Sequence, residues 1–302
     1  WLMTKEDTRQ SYSTYFGKCP YCSGYVSPYS MISALRLYRA MTKGQHGTAG
    51  SSAATSSLEG LASCQVPDLS GVKVVFKPIF LGALFKAAGQ PALPNMAVPI
   101  KGKYLFHDVK RSLDQLGHAG FPDSKPANWP PNSALAGRLT WMLTQGKKYM
   151  EMLDSGDKDI ARRGGGGAAG LGEAETRVVA GFVWRVFEAE FTGNLDISNG
   201  EVLSKLWDKY VVEPSRSSGE EGGSGVPDGQ RAVELAQGAE VVAGFKSSTQ
   251  EAAELGLFGA PSFTTEDGDM YWGNDRLFEA LAHSKSEAKS LGFSVKIREA
   301  SL

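Results

Sequence analysis

The stretch Ser27-Pro28-Tyr29-Ser30-Met31-Ile32-Ser33-Ala34-Leu35-Arg36-Leu37-Tyr38-Arg39-Ala40-Met41 decides how the chain is read. Met31, Ile32, Leu35, Tyr38 and Met41 recur at helical spacing, which predicts a helix over 28–41. Ser27 is a favoured N-cap, and Pro28 suits the first helical position because the N–H it lacks would have had no intrahelical partner. On these grounds alone Ser27 is a good cap. A second reading is chemical. Aligned peptide dipoles place roughly +0.5 of an elementary charge at a helix start. A hydroxyl there can donate a hydrogen bond to a thiolate and lower its pKa.

Outward from this helix the sequence alternates in type. Tyr12–Phe16 is a short β-prone run, and Val72–Lys77 is an apolar, β-branched strand closed by Pro78. A long middle region has helical periodicity over Val98–Leu116, Ser133–Gln145, Val178–Phe191 and Glu201–Tyr210, and Ala232–Leu255 gives one or two helices more. Strands follow at Ser262–Thr265 and Met270–Trp272, with a helix from Asp275. The order predicts an α/β chain in which a thioredoxin-like domain is interrupted by an all-helical insertion domain. Residues 10–80 and 231–290 would form the thioredoxin-like parts and 81–230 the insertion. Lys43–Ser63, Ser155–Gly172 and Ser215–Gly229 are rich in Gly and small polar residues, and such composition predicts flexible loops. The run Gly164–Gly167 lacks the strand before and the Lys-Ser/Thr pair after that a phosphate cradle needs.

The 302 residues, 41% hydrophobic and 22% charged, allow a large core, and 32 basic against 33 acidic residues give no basic surface for nucleic acid. No apolar run reaches the ~18–20 residues of a membrane span, so no membrane partner is expected. Three cysteines, Cys19, Cys22 and Cys64, are too few for a disulfide scaffold. They favour an intracellular, reducing compartment, without choosing among cytoplasm, mitochondrion and peroxisome. His46, His107, His118 and His283 show no ligand spacing, and no metal site is expected.

Other motifs each have a plain reading beside a chemical one. Cys19-Pro20-Tyr21-Cys22 reads as a redox dithiol in a thioredoxin-type context. Against this, the helix start that would stabilise its thiolate is taken by Ser27-Pro28, so the pair falls in a connecting loop. Leu257–Ser262 contains Ala260-Pro261, a turn which, if cis, exposes the Ala260 backbone to a peptide-like ligand. Trp272-Gly273-Asn274-Asp275 caps the last helix, and it could also hold a zwitterion. Gln90 and Lys101 read as surface, His107-Asp108 as a structural pair, and Leu139, Trp141 and Met142 as core.

Taken in order, Ser27-Pro28-Tyr29-Ser30, Phe76-Lys77-Pro78, Gly89-Gln90-Pro91, Lys101-Gly102, Phe258-Gly259-Ala260-Pro261 and Gly273-Asn274-Asp275-Arg276 resemble the kappa-class glutathione transferases and the related 2-hydroxychromene-2-carboxylate isomerases. The likeness runs from Tyr12 to about His283, and no single motif carries it. It implies a DsbA-like thioredoxin fold, a homodimer, glutathione as cosubstrate and a small electrophile as partner, in detoxifying conjugation or reduction. By position it implies that Ser27 is the catalytic residue. Pro28, Tyr29, Gln90, Lys101, Ala260, Asn274 and Asp275 complete the glutathione site. Gln90 stands where the family commonly has Asn, and Asn274 where it often has Ser. Gly17–Gly24 has the look of extra length between the first strand and Ser27. Three further readings stand beside the transferase: a glutathione-dependent isomerase, a thiol-disulfide oxidoreductase using Cys19 and Cys22, and a scaffold that has lost catalysis and serves protein contacts.

Overall fold

The computed structural model describes residues 17–42, 66–90, 93–157, 170–217 and 225–290. The β-prone run 12–16 lies outside them, as do most of the three glycine-rich loops, Pro91, Cys64 and His46.

Among the described residues four strands form one sheet: β1 Gly17–Ser23, β2 Val72–Pro78, β3 Ser262–Thr264 and β4 Met270–Trp272. Their order is β2-β1-β3-β4. β1 runs parallel to β2 in the register Cys19↔Val74 and Tyr21↔Phe76, and antiparallel to β3 through Tyr21↔Phe263. The helix α1, Pro28–Thr42, makes the crossover from β1 towards β2. After β2 come α2 Leu81–Ala87, α3 Pro94–Ala97, α4 Pro99–Gln115, α5 Ala134–Thr144, α6 Lys147–Asp154, α7 Glu173–Phe191, α8 Gly200–Trp207, α9 Glu213–Ser217, α10 Gly229–Leu235 and α11 Ala239–Glu254. The last helix, α12 Leu277–Ser290, packs on β1. This is the thioredoxin-like sheet with helices inserted between β2 and β3.

The strand that leads into Ser27 is Gly17–Ser23, so these residues are not extra length. Cys19 and Cys22 therefore lie within a strand rather than in a loop beyond it. Two properties hid it. Pro20 cannot donate to a ladder and argues against a central strand, yet the pairing with β3 begins only at Tyr21, one residue further on. Elements also cover both faces of β1, so Tyr21, Cys22 and Ser23 are buried in succession and no alternation appears. Cys22 packs with Ile79, Leu81 and Leu84.

α1 is buried nearly all round its first three turns, Ser30 and Ser33 included. The small side chains let α7 approach closely. On α7, Val179, Phe182, Val183, Val186 and Phe187 are all fully buried. The Phe187 ring stands 4.8 Å from that of Tyr25, which belongs to the loop just before Ser27. One continuous core thus runs from the sheet into the inserted helices. The helix placed over Glu201–Tyr210 ends at Trp207 and continues as a π-turn through Val212, and a 3-10 turn over Asn274–Arg276 precedes α12.

Near the end of α7 this core contains a carboxyl group. Glu190 is 1% exposed. Burial raises its pKa from 4.5 to about 7; the Ile197 amide offsets part of this and Asp196 adds to it. The folded state therefore holds a proton that the unfolded chain gives up above about pH 4.5, and stability falls as pH rises from there through 7. Glu190→Gln should flatten that slope and raise stability at pH 8, as read by urea unfolding across the range. An unchanged slope would contradict the assignment.

Candidate functional site

The turn Gly24-Tyr25-Val26 carries the chain from β1 to Ser27. Gly24 permits it, since a Cβ there would stand 2.9 Å from Leu81 Cβ. Three contacts fix the approach. The Trp129 indole Nε1 donates to Val26 C=O at 3.1 Å, Tyr25 Oη is 2.6 Å from Thr140 Oγ1, and Ser27 N donates to Gly24 C=O at 2.9 Å. Trp129 and Thr140 belong to the inserted helical part, so the insertion holds the backbone of the site.

Ser27 is 8% exposed. Its Oγ accepts from Ser30 N at 3.3 Å, which is the N-cap expected from the sequence. The same hydroxyl donates to Ala260 C=O at 2.8 Å. The Ala260-Pro261 bond is cis. The cap and the cis proline, far apart in sequence, thus meet at one hydroxyl group.

A cavity of about 320 Å³ opens beside this contact. Ser27, Pro28, Tyr29, Gln90, Lys101 and Ala260 all border it. The rest of its wall is mainly apolar and includes Leu81, Phe85, Leu105, Trp129, Phe258 and Trp272. Among the described residues that border it, Lys101 alone is charged. Phe258 and Trp272 meet edge to face at 4.9 Å, and Trp272 lies so close over Gly259 that a Cβ there would be 2.5 Å from the indole nitrogen.

Asn274 and Asp275 do not border the cavity. They lie two and three residues beyond Trp272, at the entry to α12. Asn274 accepts from Arg36 Nη1 through its carbonyl at 2.9 Å and its Oδ1 at 3.2 Å. Asp275 is exposed, with Arg276 at 3.7 Å. Gly273 has φ 113°, a conformation L-residues rarely adopt, which makes the tight bend from β4 into this turn.

Tyr29 borders the cavity, and its hydroxyl is already engaged. It donates to Asp108 Oδ2 at 2.8 Å, while Arg111 Nη2 donates to Asp108 Oδ1 at 2.7 Å. Burial and then the Asp108 carboxylate push the Tyr29 phenol well above its ordinary value. Burial works to raise Asp108, but the hydrogen bonds from Arg111 and Tyr29 outweigh it and hold the carboxyl low. Tyr29 is therefore a fixed wall and not a proton source at neutral pH. The sequence pairs Asp108 with its neighbour His107, whereas the structure pairs it with Tyr29 and Arg111. The role of Trp129 has no sequence signal, because its partner is a backbone carbonyl 103 positions away. Leu139 and Met142 are core, as their spacing suggests.

Among solved structures the chain is similar to a 2-hydroxychromene-2-carboxylate isomerase, with a TM-score of 0.56 at 19% identity over 92% of this chain and 99% of that one. A probable DsbA oxidoreductase from Streptomyces coelicolor gives a TM-score of 0.48 at 13% identity over 94% of each chain. No family model matches the sequence, and no curated protein matches it. The first likeness shows a shared fold, in which a thioredoxin-like sheet carries inserted helices as the order of motifs implies. No helix among the described residues is long and apolar enough to cross a membrane.

Asp108→Ala should lower stability by about 1 kcal/mol, because the part-buried Tyr29 hydroxyl loses a charged acceptor while the exposed Arg111 can turn to water. Asp108→Asn, which keeps an acceptor, should recover part of it in urea unfolding. The native pair holds Asp108 ionised below its ordinary 3.8 and Tyr29 neutral above its ordinary 10.0. Its stabilisation should therefore fade as pH drops below about 4 and again as it climbs above about 10. Equal stability of Asp108→Ala and the parent protein at pH 7 would contradict it.

Proposed function

We propose that the chain is a glutathione-dependent enzyme in which Ser27 stabilises the thiolate of bound glutathione for attack on a small electrophile. The observation that carries this reading is the Ser27 hydroxyl. It is held at the head of α1, its proton is directed at Ala260 C=O, and it borders a cavity with apolar walls.

The chemistry follows from what each group can donate. Pro28 has no N–H, and Ser30 N–H is engaged by Ser27. The Ser27 hydroxyl is thus the side-chain donor at this helix start, acting together with the helix dipole. A hydroxyl has one proton. When a tripeptide pairs its cysteinyl amide N–H with Ala260 C=O, that carbonyl no longer needs the serine proton. The hydroxyl then turns to the sulfur. Each donor keeps an acceptor, and thiolate charge forms against a dipole already in place. Lys101 and Gln90 suit the glycyl carboxylate end. Asn274 and Asp275, on the turn beyond Trp272, suit the γ-glutamyl end. The apolar walls formed by Phe85, Trp129 and Phe258 suit an apolar electrophile next to the sulfur.

The alternative within this chemistry is isomerisation. The likeness to the isomerase structure favours it: the same thiolate adds to the substrate, a bond rotates or shifts, and the thiolate leaves again. Glutathione is consumed in conjugation and returned in isomerisation, so a product assay separates the two. A dithiol mechanism at Cys19 and Cys22 has little support. Both lie within β1 rather than at a helix start, and Cys22 is buried.

Ser27→Ala should still bind glutathione in a calorimetric titration but slow turnover of a generic aryl electrophile by about 10²–10³-fold. An unchanged rate would remove Ser27 from the mechanism, and absence of binding to the parent protein would remove glutathione.

A further inference from the structure

Away from the Ser27 cavity, acidic side chains and one histidine converge between the β3–β4 turn and the underside of α12. Asp267 stands in the turn. His283 and Glu287 are four residues apart on α12 and share one helix face. One ligand atom from each of Asp267, His283 and Glu287 lies within 4.8 Å of the other two. His283 Nε2 is 3.1 Å from Asp267 Oδ2. Donors around a tetrahedral ion bound at roughly 2.0–2.2 Å sit about 3.3–3.6 Å apart, so modest side-chain movement completes the geometry.

Orientation strengthens the case beyond proximity. Tyr271 Oη lies 2.9 Å from His283 Nδ1. Two arrangements satisfy these distances: Tyr271 Oη donates to Nδ1 while Nε2–H donates to Asp267, or Nδ1–H donates to Tyr271 while the bare Nε2 faces Asp267, which is the tautomer a metal ion selects. A metal-bound histidine is fixed in this way, through an outer hydrogen bond from its second nitrogen. Asp267 is oriented too. Thr265 Oγ1 donates to its Oδ1 at 2.5 Å, which leaves Oδ2 towards the imidazole. In the second arrangement a cation between Nε2 and Asp267 Oδ2 removes the repulsion between lone pair and carboxylate. Asp269 adds a further carboxylate 3.6 Å from Nδ1. Glu287 Oε1 accepts from Asp267 N at 2.9 Å, and among the described residues Lys18 pairs with Glu266 at 3.2 Å and Lys285 with Asp68 at 2.6 Å.

We propose that Asp267, His283 and Glu287 form a site for one divalent transition-metal cation of the zinc class, with water completing the coordination. Carboxylates alone would suit magnesium or calcium, and the imidazole shifts the preference towards zinc, cobalt or nickel. The ion would tie the β3–β4 turn to α12. β4 runs from this turn to Trp272, which borders the Ser27 cavity, so the site is placed to stiffen one wall of it. The proposal does not depend on what the cavity binds. Its ligands escape a sequence search for paired His or Cys because one comes from a turn and two from a helix.

The test is a calorimetric titration of zinc chloride into the full chain near neutral pH, with the parent protein, His283→Gln, Asp267→Asn and Tyr271→Phe. Circular dichroism checks that each variant folds; Asp267 is exposed, so Asp267→Asn gives a readout that does not rely on disturbing a packed residue. The expected result is one zinc bound per parent chain, loss of that binding in His283→Gln and in Asp267→Asn, and about 10-fold weaker binding in Tyr271→Phe. No zinc bound by the parent, or undiminished binding in either His283→Gln or Asp267→Asn, would overturn this ligand set.

Discussion

The Ser27 hydroxyl joins two segments 233 positions apart, donating to Ala260 C=O at 2.8 Å while its oxygen caps α1 through Ser30 N. A buried hydroxyl that serves two partners fixes both. It sets where α1 begins relative to β1, and it sets where the Ala260-Pro261 segment lies before β3 starts. The cavity exists because these two segments meet at a point and diverge from it. Neutral hydrogen bonds of this kind contribute only about 0.5–1.5 kcal/mol net, so the contact defines geometry more than it holds the fold. Cohesion comes from the aromatic core, in which Phe187 reaches Tyr25 and Tyr21 lies between Phe76 and Phe263.

The inserted helices are part of the site rather than an appendage. Trp129 holds the carbonyl just before Ser27, Thr140 meets Tyr25, and Asp108 and Arg111 fix Tyr29. Each contact comes from a helix or loop between β2 and β3. A site placed on the sheet alone would have Ser27, Ala260 and the Phe258–Trp272 wall but not the side formed by Tyr29, Lys101, Leu105 and Trp129. On the proposed reading, the sheet end supplies the chemistry and the inserted helices shape the space for the second substrate.

The layered order of elements was legible because α1, α4, α5 and α7 carry strong helical periodicity, and because β2 is a compact β-branched run ended by Pro78. Ser27 was legible as a cap from the Ser-Pro pair. β1 was not. A proline inside the strand and burial on both faces removed the two signals by which a strand is read, and the neighbouring run 12–16 drew the assignment instead. Gathering Ser27, Gln90, Lys101 and Ala260 around one cavity was expected only from resemblance, since residues so far apart share no local pattern. Asn274 and Asp275 lie off the cavity wall, at a turn that Gly273 makes possible. The Asp108–Tyr29 pair and the Trp129 contact depend on tertiary placement, which no spacing rule encodes.

The proposed chemistry requires that this helix start and its hydroxyl stabilise a thiolate. Ultraviolet titration of glutathione bound to the parent protein reads that directly, through the absorbance of the thiolate. The bound thiol is expected to ionise well below the ~8.5 of an ordinary cysteine thiol. A bound thiol that ionises at the value of free glutathione in the same buffer would contradict it.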